Sequence, residues 1–585
     1  MKQLSQLSIL VFALAFHFAE NCTAREVPQL TADMAYGHVQ GLRVSADRLV
    51  QKDTSDVGLK NGISTLREAL AYLDQPAVHD LALGHAGLFY RGLDARVDLA
   101  ALYVRASQFD EALSTLEQLN NRIWYSGLPK YLADQKILAP LENEPRMQAL
   151  LKRSTIPLAL YDSKVLASAY KPTLTSAERA AGVSMFWHQV RADFAFLDNV
   201  PDLDWGQTYL NFLERVEAIS STEDYYRTLM QLAPLLKDGH TNIYPPDELS
   251  KKFYARPPLR TELIEDRVLV TRVDSSKLGA LVSVGDEIVE IDGIPVRSYA
   301  EKYVDPFVSS STPQDRKVRQ YTYQLLHGDE NKAVRLRLKS RTGVMREVSL
   351  ARKGYDDVVS PPKFEFRLLP GNLAYISIEH FESDAGVKAF ERAFPAVLKA
   401  RGLIIDVRSN GGGDSDFGVQ LLRFLTNEPI PGPISYGRGD NGLSRSDQRI
   451  IEWKPTPYSG ASDTGTRPLV FSGPVTVLTG ARTFSAGEDF VAAFRTIARG
   501  RTIGGATGGS TGQPIWVQLP GGGKGRICAK RDTFADGTSF VGTGLQPDVP
   551  VSYTLADFFA GRDVVLERAV AELRVSNQPK PKSAP

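Results

Sequence analysis

The run Leu403-Ile-Ile-Asp-Val-Arg-Ser-Asn-Gly-Gly-Gly constrains this chain more than any other stretch. A short apolar run closed by turn residues reads as a buried strand. Because it stops in consecutive glycines, its backbone enters a loop in which amides come unusually close to another group. On either side, from Lys363 to about Leu555, strand-like and helix-like periodicities alternate, which predicts a mixed α/β domain. A second apolar strand, Val475-Thr-Val-Leu, runs through the turn Thr479 to Phe484 into an amphipathic helix beginning near Ala486, and Ser485 stands at the start of that helix.

A hydroxyl at a helix N-terminus sits where unpaired backbone N–H groups and the macrodipole favour developing negative charge. A plain N-cap serine, with Glu488 three residues on completing a capping box, fits the same letters. The glycine loop supports the first reading, since its amides suit an oxyanion hole. As a phosphate loop it lacks the Gly-Lys-Ser/Thr ending that reaches phosphate and magnesium. A simple turn stays open as the third reading of that loop.

At 585 residues the chain exceeds what one hydrophobic core holds, so several units are expected. Residues 1–24 read as a signal peptide: Lys2, an apolar run from about Leu7 to Ala19, and the small-residue stretch Cys22-Thr23-Ala24. The run is too short to span a membrane, and no other stretch comes closer. Residues 25–155 carry helical periodicity, and Ala101 to Leu113 is similar to one tetratricopeptide repeat with no second copy at the required period. Residues 176–250 form another helical segment, ending in Leu235-Leu-Lys-Asp-Gly-His-Thr241. Between residues 256 and 353 the period becomes two, predicting strands, and Val284-Gly-Asp-Glu-Ile-Val-Glu-Ile-Asp-Gly-Ile-Pro-Val resembles a PDZ core. The carboxylate loop of PDZ modules has no clear counterpart near Arg256 to Leu259, leaving peptide capture and a structural or gating role both open. The catalytic candidate occupies residues 360–556, and residues 557–585 read as a C-terminal helix and a disordered tail.

A formal net charge of +1 with scattered basic residues offers no stripe for nucleic acid. Once Cys22 leaves with the signal, Cys528 is the one remaining cysteine, which excludes an intramolecular disulfide and a thiolate metal cluster. Neither metal nor cofactor is expected.

In chain order stand Asp238-Gly-His-Thr241, the PDZ-like stretch, Asp406-Val-Arg-Ser-Asn-Gly-Gly-Gly413, Thr483-Phe-Ser-Ala-Gly-Glu488, Gly508-Gly-Ser-Thr-Gly-Gln-Pro514 and Asp536 to Asp548. This series resembles the tail-specific, or C-terminal-processing, serine peptidases on their tricorn-like branch, which includes retinoid-binding relatives. The resemblance implies a multidomain protein with an α-helical N-terminal region, a PDZ-like β-rich module and a crotonase-like α/β catalytic domain. It implies attack by Ser485 on a peptide carbonyl, with the oxyanion held by the amides of Ala486 and of Gly411 or Gly412. Members with a Ser–Lys dyad place lysine about where Ser510 stands, so the implied base here is His240. A histidine suits that work, since an ordinary pKa of about 6.5 leaves much of it neutral near pH 7. His380 is the reserve candidate.

The resemblance also implies a glutamate where this chain has Val541. Asp238, Asp532 and Asp536 are candidate substitutes, and Glu488, Ser510 and Gln513 are further candidates for orienting the base or lining the substrate loop. Ala486 replaces an aspartate that some tricorn-like proteins use for basic or amino-terminal groups. The expected function is an exported, periplasmic or extracellular, serine endopeptidase acting on peptides or unfolded protein tails. A catalytically weak peptide- or ligand-binding protein on the same scaffold, or an esterase or amidase, are the alternatives.

Overall fold

The computed structural model describes residues 30–122, 128–154, 165–354, 358, 362–439, 446, 451–456 and 459–576. The expected signal peptide lies outside the described residues, as does the tail from residue 577. The chain divides into two units, Met1–Pro157 and Leu158–Pro585.

The first unit is helical. Its helices Ala32–Lys52, Asp56–Leu73, Ala86–Arg105 and Phe109–Arg122 bury an aliphatic cluster that includes Ala46, Ile63, Leu66, Leu99 and Leu116. The repeat-like stretch from Ala101 to Leu113 spans the turn between the last two of these helices, where Ser107 takes a left-handed φ of 59°.

In the second unit the helices Ser176–Asp193, Trp205–Glu217 and Thr222–Leu229 lead through a short turn to Asp238 and then to the strand Asn242–Tyr244. This strand pairs antiparallel with Lys524–Cys528, which pairs in turn with Pro514–Gln518. Phe186, Tyr225 and Tyr226 from the helices pack with Leu519, Ile527 and Cys528 beneath that sheet. The segment ending at residue 250 is thereby fastened to a hairpin nearly three hundred residues further along the chain.

Residues 259–350 form an antiparallel sheet in the order Leu259–Ile264, Arg267–Val273, Glu287–Ile291, Val334–Lys339, Met345–Leu350. Strict alternation in Val334–Lys339, buried at Val334, Leu336 and Leu338, gives one face to a core with Val268, Val270 and Ile288. A helical segment beginning at Pro313 covers the edge strand, and the Thr261 hydroxyl donates to Tyr321 O there.

The remaining sheet has six strands in the order Val549–Pro550, Gly500–Gly504, Val475–Thr479, Gly402–Asp406, Leu373–Ile378, Phe364–Leu369. Every neighbouring pair is parallel except the last. Leu403 and Ile405 pack towards Phe390, Leu421 and Phe490, whereas Ile404 packs with Val565, Ala569 and Leu573 from the helix Val564–Ser576. Burial on both faces explains the unbroken apolar letters of these strands. The carboxyl ends of three adjacent parallel strands, at Asp406, Thr479 and Gly504, therefore open into three neighbouring loops, the customary place for a site in an open α/β sheet.

Candidate active site

Those loops are locked by backbone before any side chain is considered. Phe484 N donates to Asn410 O at 2.9 Å, Ser485 N to Ser510 O at 3.1 Å, and Gly508 N to Thr483 O at 2.9 Å. The Thr483 hydroxyl donates to Val407 O at 2.7 Å. Ser485 has φ 55° and ψ −128°, whereas an ordinary N-cap is extended. A serine held in that sparsely populated region marks a strained elbow between strand and helix, which distinguishes this residue from a simple cap. Gly412 makes the elbow accessible: at φ 99°, a Cβ there would lie 2.6 Å from Ser485 Cβ.

His240 reaches Ser485 from the fastened segment, with Nε2 2.9 Å from Ser485 Oγ, and its other nitrogen, Nδ1, lies 2.7 Å from Ser510 Oγ. The Ser510 hydroxyl is also within 3.4 Å of Asp238 Oδ1. Asp238 is fully enclosed and takes hydroxyls from Thr241, at 2.6 Å, and Ser311, at 3.3 Å. The imidazole is 3% exposed and stacks on Phe484, with centroids 4.8 Å apart, and the Arg319 guanidinium covers the same phenyl ring. Arg526 holds the backbone beneath it, Nε donating to His240 O at 2.8 Å. Burial, and then the nearby charges of Arg526 and Arg319, hold the imidazole pKa well below its ordinary 6.5. The same burial pushes the Asp238 carboxyl up, against the hydroxyls that stabilise its charge.

Glu488 ties Ser485 to the third loop. Its carboxylate accepts from Ser485 N at 3.3 Å, Gly509 N at 2.7 Å, Ser510 N at 2.9 Å and the Thr507 hydroxyl. It is wholly buried, and desolvation pushes its pKa up to about 8.

The expected oxyanion donors divide. Among the described residues no acceptor lies within hydrogen-bond reach of Ala486 N, beside Ser485. Gly411 N, however, already donates to Glu379 O at 3.2 Å, and Gly412 N to Asn410 Oδ1 at 2.9 Å. In this structure both glycine amides are engaged, Gly411 N by the end of the neighbouring strand and Gly412 N by Asn410 of its own loop, since a glycine backbone accepts either peptide orientation.

The other candidates stand apart. Asp532 is bound by Ser435 and Lys530, and Asp536 closes an exposed turn by accepting from Thr538 N at 2.8 Å. Neither makes a hydrogen bond to His240. Gln513 is exposed. His380 accepts from Glu382 N at 3.2 Å and makes no hydrogen bond to Ser485, whose hydroxyl is met by His240 instead. Val541 packs against the apolar cluster under the hairpin. Phe484, Ser311, Arg319 and Arg526 had no sequence signal of a role at the site, since their contacts arise only from tertiary placement.

Residues 372–551, which hold the glycine loop, the elbow and the Ser510 loop, match Peptidase family S41, a family of serine-type peptidases. The carboxy-terminal-processing protease of Bartonella bacilliformis is 24% identical over 218 residues, 36% of this chain and 45% of that relative. The chain thus spans about half the length of the curated relative it matches. The structure of mature CPAF complexed with lactacystin covers 69% of this chain and 99% of its own, with TM-score 0.55 and 15% identity. Mature CPAF alone has TM-score 0.54 at the same identity. These similarities establish a shared fold. Among the described residues no helix is long and apolar enough to cross a membrane.

Proposed function

We propose that this chain, with its Peptidase family S41 segment at residues 372–551, is an exported serine endopeptidase that cleaves peptides or unfolded protein tails through an acyl-enzyme on Ser485. The observation that carries this reading is the 2.9 Å approach of His240 Nε2 to a serine held at φ 55°. The catalytic domain is crotonase-like, and residues 256–353 are a PDZ-like module whose covered edge strand favours bracing the site over capturing peptides. Ser311, Thr312 and Gln314 from that module donate to Asp238, Gly508 O and Thr507 O respectively.

The hydrogen-bond directions follow from what each group offers. Asp238, receiving hydroxyls, acts as an acceptor, so Ser510 donates to it and turns a lone pair towards His240 Nδ1. Nδ1 then carries the proton, and Nε2 is free to accept the Ser485 hydroxyl. Ser510 and Asp238 are the orienting pair, in place of the glutamate absent at Val541. In the reaction Ser485 Oγ bonds to the substrate carbonyl carbon as its proton passes to Nε2, and the oxyanion faces Ala486 N. A second amide is supplied when Gly412 N turns from Asn410. The carbon–nitrogen bond breaks as Nε2 returns the proton to the leaving amine, and water, deprotonated by the same nitrogen, releases the acyl group.

A fluorophosphonate probe is expected to add to Ser485, located by mass spectrometry of the digested protein, and to leave Ser485→Ala unmodified. An unmodified wild type beside a labelled control peptidase refutes the acyl-enzyme and favours a ligand-binding role on this scaffold.

Because the imidazole is held well below 6.5, the acid limb of kcat/KM is expected below that pH: the neutral base persists as protons are added. Ser510→Ala removes the acceptor of Nδ1–H and is expected to lower kcat by about 10- to 100-fold with KM little changed, the scale of one buried hydrogen bond. Ser510→Thr retains the hydroxyl and most of the rate. An alanine variant with the wild-type rate and pH profile excludes the orienting role.

A further inference from the structure

A cavity of about 310 Å3 runs along the helix that begins after Ser485. Val419, Ile430, Ala492 and Phe534 give it apolar walls, and Asp489, Asp532 and Lys530 line it as well. Asp489 lies four residues beyond Ser485, one helical turn or about 5.4 Å, and its N–H donates to Ser485 O at 3.1 Å. Its carboxylate accepts from Ser415 Oγ at 2.6 Å, just past the glycine loop, and from Thr511 Oγ1 at 2.7 Å, next to Ser510. The cavity is therefore tied through Asp489 to the loops on both sides of Ser485.

The charge there is unbalanced. Four aspartates line the cavity: Asp463 is paired with Arg423 and Asp532 with Lys530 at 3.1 Å, and among the described residues Asp416 and Asp489 have no ion pair. Burial, followed by the charge of Asp532, pushes Asp489 up to about 6, the response of a carboxylate lacking its own cation. Asp489 is partly buried as a residue and lines the cavity, where each carboxylate oxygen has one hydroxyl partner and room for a further donor. Apolar walls exclude water around such a contact and strengthen it.

We infer that this cavity receives the substrate side chain on the acyl side of the scissile bond and selects lysine or arginine, whose cationic head meets Asp489 and Asp532. The inference rests on the acyl-enzyme reading of Ser485. The hydrocarbon stem of such a side chain spans about one helical turn, the separation between Ser485 and Asp489 along the helix. A norleucine side chain of similar length gains only the apolar walls, and a glutamate side chain is repelled.

The test compares peptidyl diphenyl phosphonates carrying lysine, norleucine or glutamate next to phosphorus, applied to the full chain and to Asp489→Asn and Asp532→Asn. The readout is the rate of Ser485 modification, with a fluorophosphonate that bears no side chain reporting in each protein whether Ser485 still reacts. The lysine reagent is expected to react at least tenfold faster than the norleucine reagent in the wild type, and that ratio to fall towards one in either variant. Three results overturn the pocket: equal wild-type rates, a ratio that both substitutions leave intact, or no reaction with the lysine reagent while the fluorophosphonate labels. Should the fluorophosphonate itself fail on the wild type, the acyl-enzyme reading falls instead. The substitutions lie on different elements, and the wild-type comparison decides the matter if neither variant folds.

Discussion

Exchanging His240 for alanine is expected to lower kcat by a factor on the order of 10^4 to 10^6, the range seen when one member of a nucleophile–base unit is lost. His240 Nε2 is the sole ring nitrogen within reach of Ser485 Oγ among the described residues, and without it the serine proton has no acceptor. Adding Ser485→Ala to this variant is expected to cost nothing more, because the two side chains act as one unit and their effects do not add. Steady-state kinetics on one peptide substrate for the two single variants and the double variant measure this. A His240→Ala enzyme within tenfold of the wild type, or multiplied losses in the double variant, assigns proton transfer to another group. Thermal unfolding of the same proteins separates lost chemistry from lost fold, since removing the ring also strips Phe484 of its stacking partner.

Removing the Glu488 carboxylate is expected to have the largest effect on stability. Glu488→Ala leaves Gly509 N, Ser510 N and the Thr507 hydroxyl buried without their acceptor, while Ser485 N keeps its bond to Ser510 O. At about 1 to 3 kcal/mol for each unpaired buried group, partly offset by water entering the space, a loss of at least about 3 kcal/mol is expected, together with a collapse of activity as the elbow and the third loop separate. Glu488→Gln keeps the shape but turns an NH2 group towards donors, so it should fall between. Denaturant unfolding checks both. The pH dependence has a definite sign: with the native pKa pushed up to about 8 from an ordinary 4.5, the folded state binds the proton more tightly. This group's contribution therefore declines as pH rises from about 4.5 to 8 and is flat on either side. A wild type whose stability has the same slope across that window as Glu488→Gln excludes this coupling.

The parts of the site that the letters reveal are those built from contiguous chain. The elbow at Ser485 and the glycine loop at Gly411 to Gly413 are local patterns of strand, turn and helix. His240 lies 245 residues before its partner, so no periodicity joins them, and only the motif around it marks the position. Ser510 shows a different limit: the family resemblance marks it only as a place where some members carry lysine, while the contact of its hydroxyl with Nδ1 emerges only when Asp238 and His240 arrive from another segment. The glycine amides show a third limit, because a glycine tolerates either orientation of its peptide planes, and Glu379 O and Asn410 Oδ1 decide which groups they face. Asp532 and Asp536 were candidates as carboxylates in the right stretch of chain, but Ser435 and a local turn hold them elsewhere.

The pairing of Asn242–Tyr244 with Lys524–Cys528 has a consequence for a chain made from its N-terminus. His240 is synthesised long before Ser485, and its docking strand later than both. While it is being made the chain is therefore expected to be inert, with a histidine that has no serine to act upon and then a serine whose histidine has not yet docked. A free fragment of residues 360–556 would be inert for the same reason. On the proposed mechanism, topology withholds hydrolysis from partly made molecules until the last strand of that small sheet closes.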